Sequence, residues 1–202
     1  MARKSAASSQ YHKENLRRDL IEAALKYVAE HGHDTLSVRT LANIVGVSSG
    51  APYHHFADRR SLLLALALEG YERLIGPTAE QFQAASNPME SLTTTSHQFL
   101  TFAIRNPRLF ELMYESELTR PELDPAIRQA QFRGFSLLKD SIVAAVPSMT
   151  EEDFSFRLLA IWSTLYGFAT LRNKQMVKPY EMDQQAADAV VKYIVKIALA
   201  GN

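Results

Sequence analysis

An all-α fold, with a small N-terminal head and a larger helical body, is predicted for this chain of 202 residues. Three features carry the expectation. Apolar residues recur every three or four positions in almost every segment, as they do on one face of a helix. Capping residues and prolines fall where such helices would start or stop. No segment alternates apolar and polar residues as a half-buried strand does.

The elements follow in chain order. Residues 1–12 (MARKSAASSQYH) are small, polar and basic, and are read as a loose tail. Leu16, Leu20, Ala24 and Val28 define a first helix, which Gly32 closes. Ser37 can cap a short second helix with Val38, Leu41 and Ala42 on one side. Gly46 allows a left-handed turn, and Ser48 can cap a third helix reaching His55. Asp58 starts a long fourth helix with Leu62, Leu66 and Leu74 inward, which Gly76-Pro77 breaks or kinks. Asn87-Pro88 and Asn106-Pro107 open the next two, the second running to Leu118. Pro121 and Pro125 bracket a loop. Three further helices are expected over 124–146, 150–174 and 183–200, the second capped by Thr150 ahead of three acids. The domains are therefore a tail (1–12), a three-helix head (13–57) and a helical body (58–202).

Composition narrows the function classes. The chain has no cysteine, which removes disulfides, thiolate zinc sites and cysteine nucleophiles. Its longest apolar run, Leu62 to Leu68, has seven residues against the ~18 of a membrane span, so no membrane partner is expected. The N-terminus lacks the apolar core of a secretory signal, and a cytoplasmic, nucleoid-associated setting is expected. Net charge is zero, but residues 1–60 hold nine Lys and Arg against six Asp and Glu, and five of the six histidines. That asymmetry fits a polyanion-binding head on a mildly acidic body.

The head carries the clearest signal. Two short helices around a glycine turn make a helix-turn-helix, whose second helix enters the DNA major groove. Val38, Leu41, Ala42 and Val47 would pack the pair onto the first helix. Ser48, Ser49, Gly50 and Ala51 are small enough for close approach to bases, and Tyr53, His54 and His55 place ring edges near phosphates. Arg59 adds a cation at the start of the next helix. Residues 38–65, VRTLANIVGVSSGAPYHHFADRRSLLLA, resemble the tetracycline-repressor (TetR) family of transcriptional regulators. IWSTLYGFATL (161–171) and FAIRNPRLFELMY (102–114) are similar to a subgroup whose body carries a Trp-x-x-x-His-Gly segment, with Tyr166 in place of the histidine. Pro52 stands where leucine is common, so the third helix is expected to be regular only from Ala51.

The resemblance implies phosphate contacts from Tyr53, His54, His55 and Arg59. It offers Ser37, Arg39 and Thr40 as further DNA contacts, and Ser48, Ser49 and Ala51 as those nearest the bases. It also implies an apolar effector pocket lined by residues such as Phe102, Met113, Phe135, Trp162 and Tyr166, and hence a hydrophobic or aromatic small molecule. No cofactor is expected.

Several of these residues also have plainer roles open to them. His54 and His55 are helix neighbours about 100° apart and make poor joint metal ligands. His31 and His33 have no evident acidic partner, so no metal site is expected. No G-x-S-x-G nucleophile elbow is present. Phe56 reads as a core plug, and Trp162 and Tyr166 line a cavity or fill core. The last helix has two apolar stripes, Val190-Ile194-Ile197 and Ala187-Val191-Val195-Ala198. A surface helix needs one. The second fits a twofold partner, giving a homodimer with a four-helix interface. The expected function is a homodimeric, effector-released repressor on a palindromic operator. A helical adaptor without an effector and an all-helical enzyme are the rivals, and neither accounts for residues 38–65.

Overall fold

A computed structural model describes residues 2–120, 122, 124–176 and 184–199, and among them only helices and turns occur. The helices are α1 (Ala2–His31), α2 (Val38–Val45), α3 (Arg59–Ala84), α4 (Pro88–Arg105), α5 (Pro107–Tyr114), α6 (Pro125–Ala145), α7 (Glu151–Asn173) and α8 (Gln184–Leu199). Short 3-10 turns cover Ala51–His54 and Glu117–Thr119. Pro121, Asp183, Ala200 and the side chains of Ile197 and Ala198 lie outside the described residues.

Local chemistry sets most boundaries. The Ser37 side chain accepts from the Thr40 amide at 3.0 Å and caps α2. Gly46 ends it with φ +75, and its amide and that of Val47 both donate to the Ala42 carbonyl. Asn87 caps α4 through the Glu90 amide, while the Glu90 carboxylate reaches back to the Ser86 amide. Together they form a capping box, and Ser86 holds the Glu90 carboxyl below its usual range. Thr150 caps α7 through the Asp153 amide.

Four expectations need correction. α1 is helical from Ala2, where a tail was expected; Ala, Arg, Lys and Gln in this stretch favour helix. Pro77 does not break α3, which continues to Ala84. The ring removes one amide, and Gly76 keeps an ordinary negative φ, so the helix carries through with one rung missing. The third helix of the head is a four-residue 3-10 turn and not a helix from Ser48 to His55. Pro52 has no amide to donate, and the bonds that form span three residues: Tyr53 to Gly50 and His55 to Pro52. The helix expected from Pro107 to Leu118 stops at Tyr114. Thr119 then donates its hydroxyl to the Leu112 carbonyl and folds the chain back.

Two compact units result. One comprises residues 1–70 and 108–127, the other residues 71–107 and 128–202. The division falls inside α3 between Gly70 and Tyr71. The first unit is cored by Leu20, Ala24, Val28, Leu36, Leu41, Phe56, Leu62, Leu63 and Leu66, all essentially inaccessible. Within it α5 approaches α3 at Gly70, where an added Cβ would lie 2.5 Å from the Met113 sulfur. Only glycine fits that approach without moving its neighbours.

The second unit packs α4 against α7 and α8. Leu92, Leu100, Ala103, Ile142, Ile161, Leu165, Ala187, Val191 and Ile194 form its core. Thr95 and Ser141 pair hydroxyls at 3.0 Å in the interior, and His97 reaches Asp188 at 2.9 Å. Buried Tyr71 takes a hydrogen bond from the Gln131 amide, and burial pushes its phenol up to about 12. Arg157 is almost inaccessible and is neutralised one turn away by Asp153. α7 is long and apolar enough to span a membrane by length and composition.

Candidate nucleic-acid interface

The surface of residues 37–55 is built by sorting alternate side chains inward and outward. Val38, Leu41, Ala42, Pro52 and Phe56 are buried, anchoring α2 and the 3-10 turn to the rest of the head. Ser48, Ser49 and Gly50 are exposed ahead of that turn, with Ala51 half-buried. Tyr53 and His54 are exposed beyond it. Phe56 follows the turn with its ring buried, and its amide donates to the Pro52 carbonyl at 2.9 Å. The Arg17 guanidinium stands 5.8 Å from that ring's centre, within cation–π range.

Each expected DNA-contact residue has a definite place. Arg39 is exposed on the first turn of α2, next to half-buried Thr40. Ser37 is occupied as the α2 cap, and its oxygen also lies 2.8 Å from the Thr40 hydroxyl. His55 is half-buried, its ring tilted against Phe56. Ser48 does not cap the 3-10 turn, which begins at Gly50 without a side-chain cap. Ile44 is exposed on α2, off the buried face formed by Val38, Leu41 and Ala42.

Arg59 is placed differently from the expectation. Its Nε donates to the Leu36 carbonyl at 2.9 Å, and its Nη2 donates to the carbonyls of His33 and Asp34 at 2.8 and 3.0 Å. The guanidinium thus clamps the loop between α1 and α2, directing these donors at backbone and away from a ligand. Beside it the Ser61 amide and hydroxyl hold the Asp58 carboxyl below its ordinary value. Arg59→Ala is therefore expected to destabilise the protein by about 2 kcal/mol, the scale of charge-assisted bonds lost from partly buried acceptors. Denaturant titration measures that change. A midpoint equal to wild type would refute the clamp.

The residues expected around an effector are divided between the units. Met113 belongs to the first, fully buried against Gly70. Phe102, Phe135, Trp162 and Tyr166 belong to the second. There Phe102 is buried, Phe135 is exposed, and Trp162 stacks on Tyr166 with ring centres 6.3 Å apart.

Comparison with known proteins extends this geometry. The profile of "Bacterial regulatory proteins, tetR family" matches residues 20–66, which hold α2 and the turn. The profile of "Tetracyclin repressor-like, C-terminal domain" matches residues 92–196, more than half the chain. The chain belongs to the TetR family. This TetR protein is 44% identical over 64 residues to the HTH-type transcriptional repressor AcnR of Corynebacterium diphtheriae. That match covers 32% of this chain and 34% of AcnR, so the chain spans about a third of the length of that relative. A protein of unknown function from Rhodococcus sp. RHA1 is 28% identical, with a TM-score of 0.75 over 91% of this chain and 93% of that one. The transcriptional regulator FadR of Bacillus subtilis, solved with stearoyl-CoA, shares the fold at 18% identity. Its TM-score is 0.70 over 91% of this chain and 97% of that one.

Proposed function

We propose that this TetR protein is a homodimeric transcriptional regulator that represses by holding a palindromic operator, and that a small effector in the second unit releases it. The outward row of Ser48, Ser49, Gly50, Tyr53 and His54 over a buried Pro52–Phe56 base carries the reading. Small residues permit close approach to base edges. Tyr53, His54 and Arg39 reach the flanking phosphates, which set position without reading sequence. Arg59 acts as a positioning residue, because its Nε and Nη2 bonds hold the α1–α2 loop and with it the start of α2.

The second unit supports dimerisation. Phe156 and Leu159 on α7 and Tyr193 on α8 are more than 60% exposed. A second copy related by a twofold axis would cover this face with its own α7 and α8. The two heads would then read half-sites ~34–36 Å apart or a multiple of that spacing. Effector control is a population shift between head spacings, limited by the effector's differential affinity for them. FadR of B. subtilis, with its bound stearoyl-CoA, illustrates a small-molecule ligand on this fold.

Binding titrations on a selected operator and a random duplex, at several salt concentrations, test the reading. Arg39→Ala is expected to flatten the salt dependence by about two units per dimer, one for each phosphate charge lost. Tyr53→Phe is expected to weaken both duplexes alike, by about 1 kcal/mol. A wild-type protein without salt-dependent binding to any duplex would overturn the DNA-binding function.

A further inference from the structure

The α4–α7 seam of the second unit combines aromatic rings with hydrogen-bonding atoms that lack partners. On α7, Trp162, Tyr166, Thr170 and Asn173 follow at spacings of four, four and three, so they share one stripe. On α4, Ser96, Phe99 and Ala103 share another. Two contacts tie the stripes together: the rings of Phe99 and Trp162 lie 5.2 Å apart, and the Asn173 amide donates to the Ala103 carbonyl at 3.1 Å.

Among the described residues, the Ser96 Oγ, Thr170 Oγ1 and Asn173 Oδ1 are buried without a hydrogen-bond partner. All three belong to these two stripes. Helical Ser and Thr ordinarily bond the carbonyl one turn back, as Thr78, Thr93, Ser141, Ser155 and Thr164 do here. Ser96 and Thr170 forgo that bond. Leaving a buried polar atom unpaired costs about 1–3 kcal/mol, so such atoms along one seam, Thr170 and Asn173 within one turn of each other, call for a ligand that pairs them. The two stripes carry no ionisable group other than the Tyr166 phenol. A bound carboxylate or phosphate would find no counter-charge on them, and burying it unpaired is prohibitive.

We infer that this seam binds an uncharged aromatic or ring compound bearing a hydroxyl or amide hydrogen. Its ring lies against Tyr166, beside the Phe99–Trp162 pair, and its donor is accepted by the Thr170 hydroxyl or Asn173 Oδ1, one to two turns further along α7. The inference rests on reading this unit as the effector domain, and it narrows the effector to a neutral hydrogen-bond donor.

Calorimetric titration of the full chain with 2-naphthol and 4-phenylphenol tests it, against naphthalene, biphenyl and 2-naphthoate. At least one phenol is expected to bind one per chain, about tenfold or more tighter than its parent hydrocarbon, one good hydrogen bond's worth. 2-Naphthoate is expected to bind at least 100-fold more weakly than 2-naphthol. Thr170→Val and Asn173→Leu should abolish the phenol-over-hydrocarbon preference. Circular dichroism confirms that the variants are folded, and Thr170→Val, which removes an unpaired atom without changing shape, guards against misfolding as the explanation. Silence from both phenols, hydrocarbons that bind equally well, or a preference that survives Thr170→Val would each overturn the assignment. The same preparations titrated with operator DNA separate this failure from that of the regulator function: DNA binding that persists leaves the regulator reading standing while the seam assignment falls.

Discussion

Phe56→Ala is expected to cost about 3–5 kcal/mol of stability, as truncation of a fully enclosed aromatic does. Phe56 is 1% exposed and closely follows the 3-10 turn. Its removal opens a cavity beside the one element that presents Ser48–His54, and it deprives Arg17 of its ring partner. Operator affinity should fall with stability, because Pro52 and Phe56 are the buried residues that anchor the turn. Denaturant unfolding and an operator titration on one preparation check both effects. A loss below 1 kcal/mol would mean that the turn is supported elsewhere. Phe56→Leu, which retains much of the volume, should recover most of the deficit.

Leu159→Glu is expected to convert the proposed dimer to monomer and to weaken operator binding by ~10²–10⁴-fold, the avidity contributed by linking two heads. Leu159 is 63% exposed in the single chain, so the substitution burdens the protomer little. Across a twofold axis it places two carboxylates in one apolar seam, and burying them unpaired is costly. The protomer's own fold should be retained. Sedimentation at micromolar concentration gives the mass, and the titration gives the affinity. A variant that remains dimeric would move the interface away from α7. A monomer that still binds the operator as tightly as wild type would remove dimerisation from the recognition mechanism.

Local chemistry was the readable part of this chain. Ser37 before Val38, Gly46 after Val45 and Asn87 before Pro88 each act within four residues of themselves, and each sits where expected. The all-helical class was legible for the same reason, since periodicity is local. Features set by distance were not. Arg59 reads as a phosphate ligand in the sequence because it is a cation at the start of α3, where the resemblance implies a basic contact. The carbonyls it holds are 23 to 26 residues earlier, beyond any spacing rule. Met113 was grouped with Trp162 by resemblance, yet Gly70 gives it a place in the other unit. At Pro77 the local rule leaves two outcomes open, a break or a kink. α3 loses one bond there and keeps the rest, so the break did not occur. The 3-10 turn was partly legible, in that Pro52 signalled irregular helix but not how short it would be.

Trp162 is the only tryptophan in the chain, and it lies in the α4–α7 seam beside Phe99 and Tyr166. Excited at the red edge, where tyrosine does not absorb, the native protein emits from that single position. Its fluorescence lifetime and anisotropy therefore report on one seam of one unit, with no label and no contribution from the head. Any motion that DNA or an effector transmits to α7 becomes a spectroscopic signal of known origin, and stopped-flow recording would resolve its order relative to release.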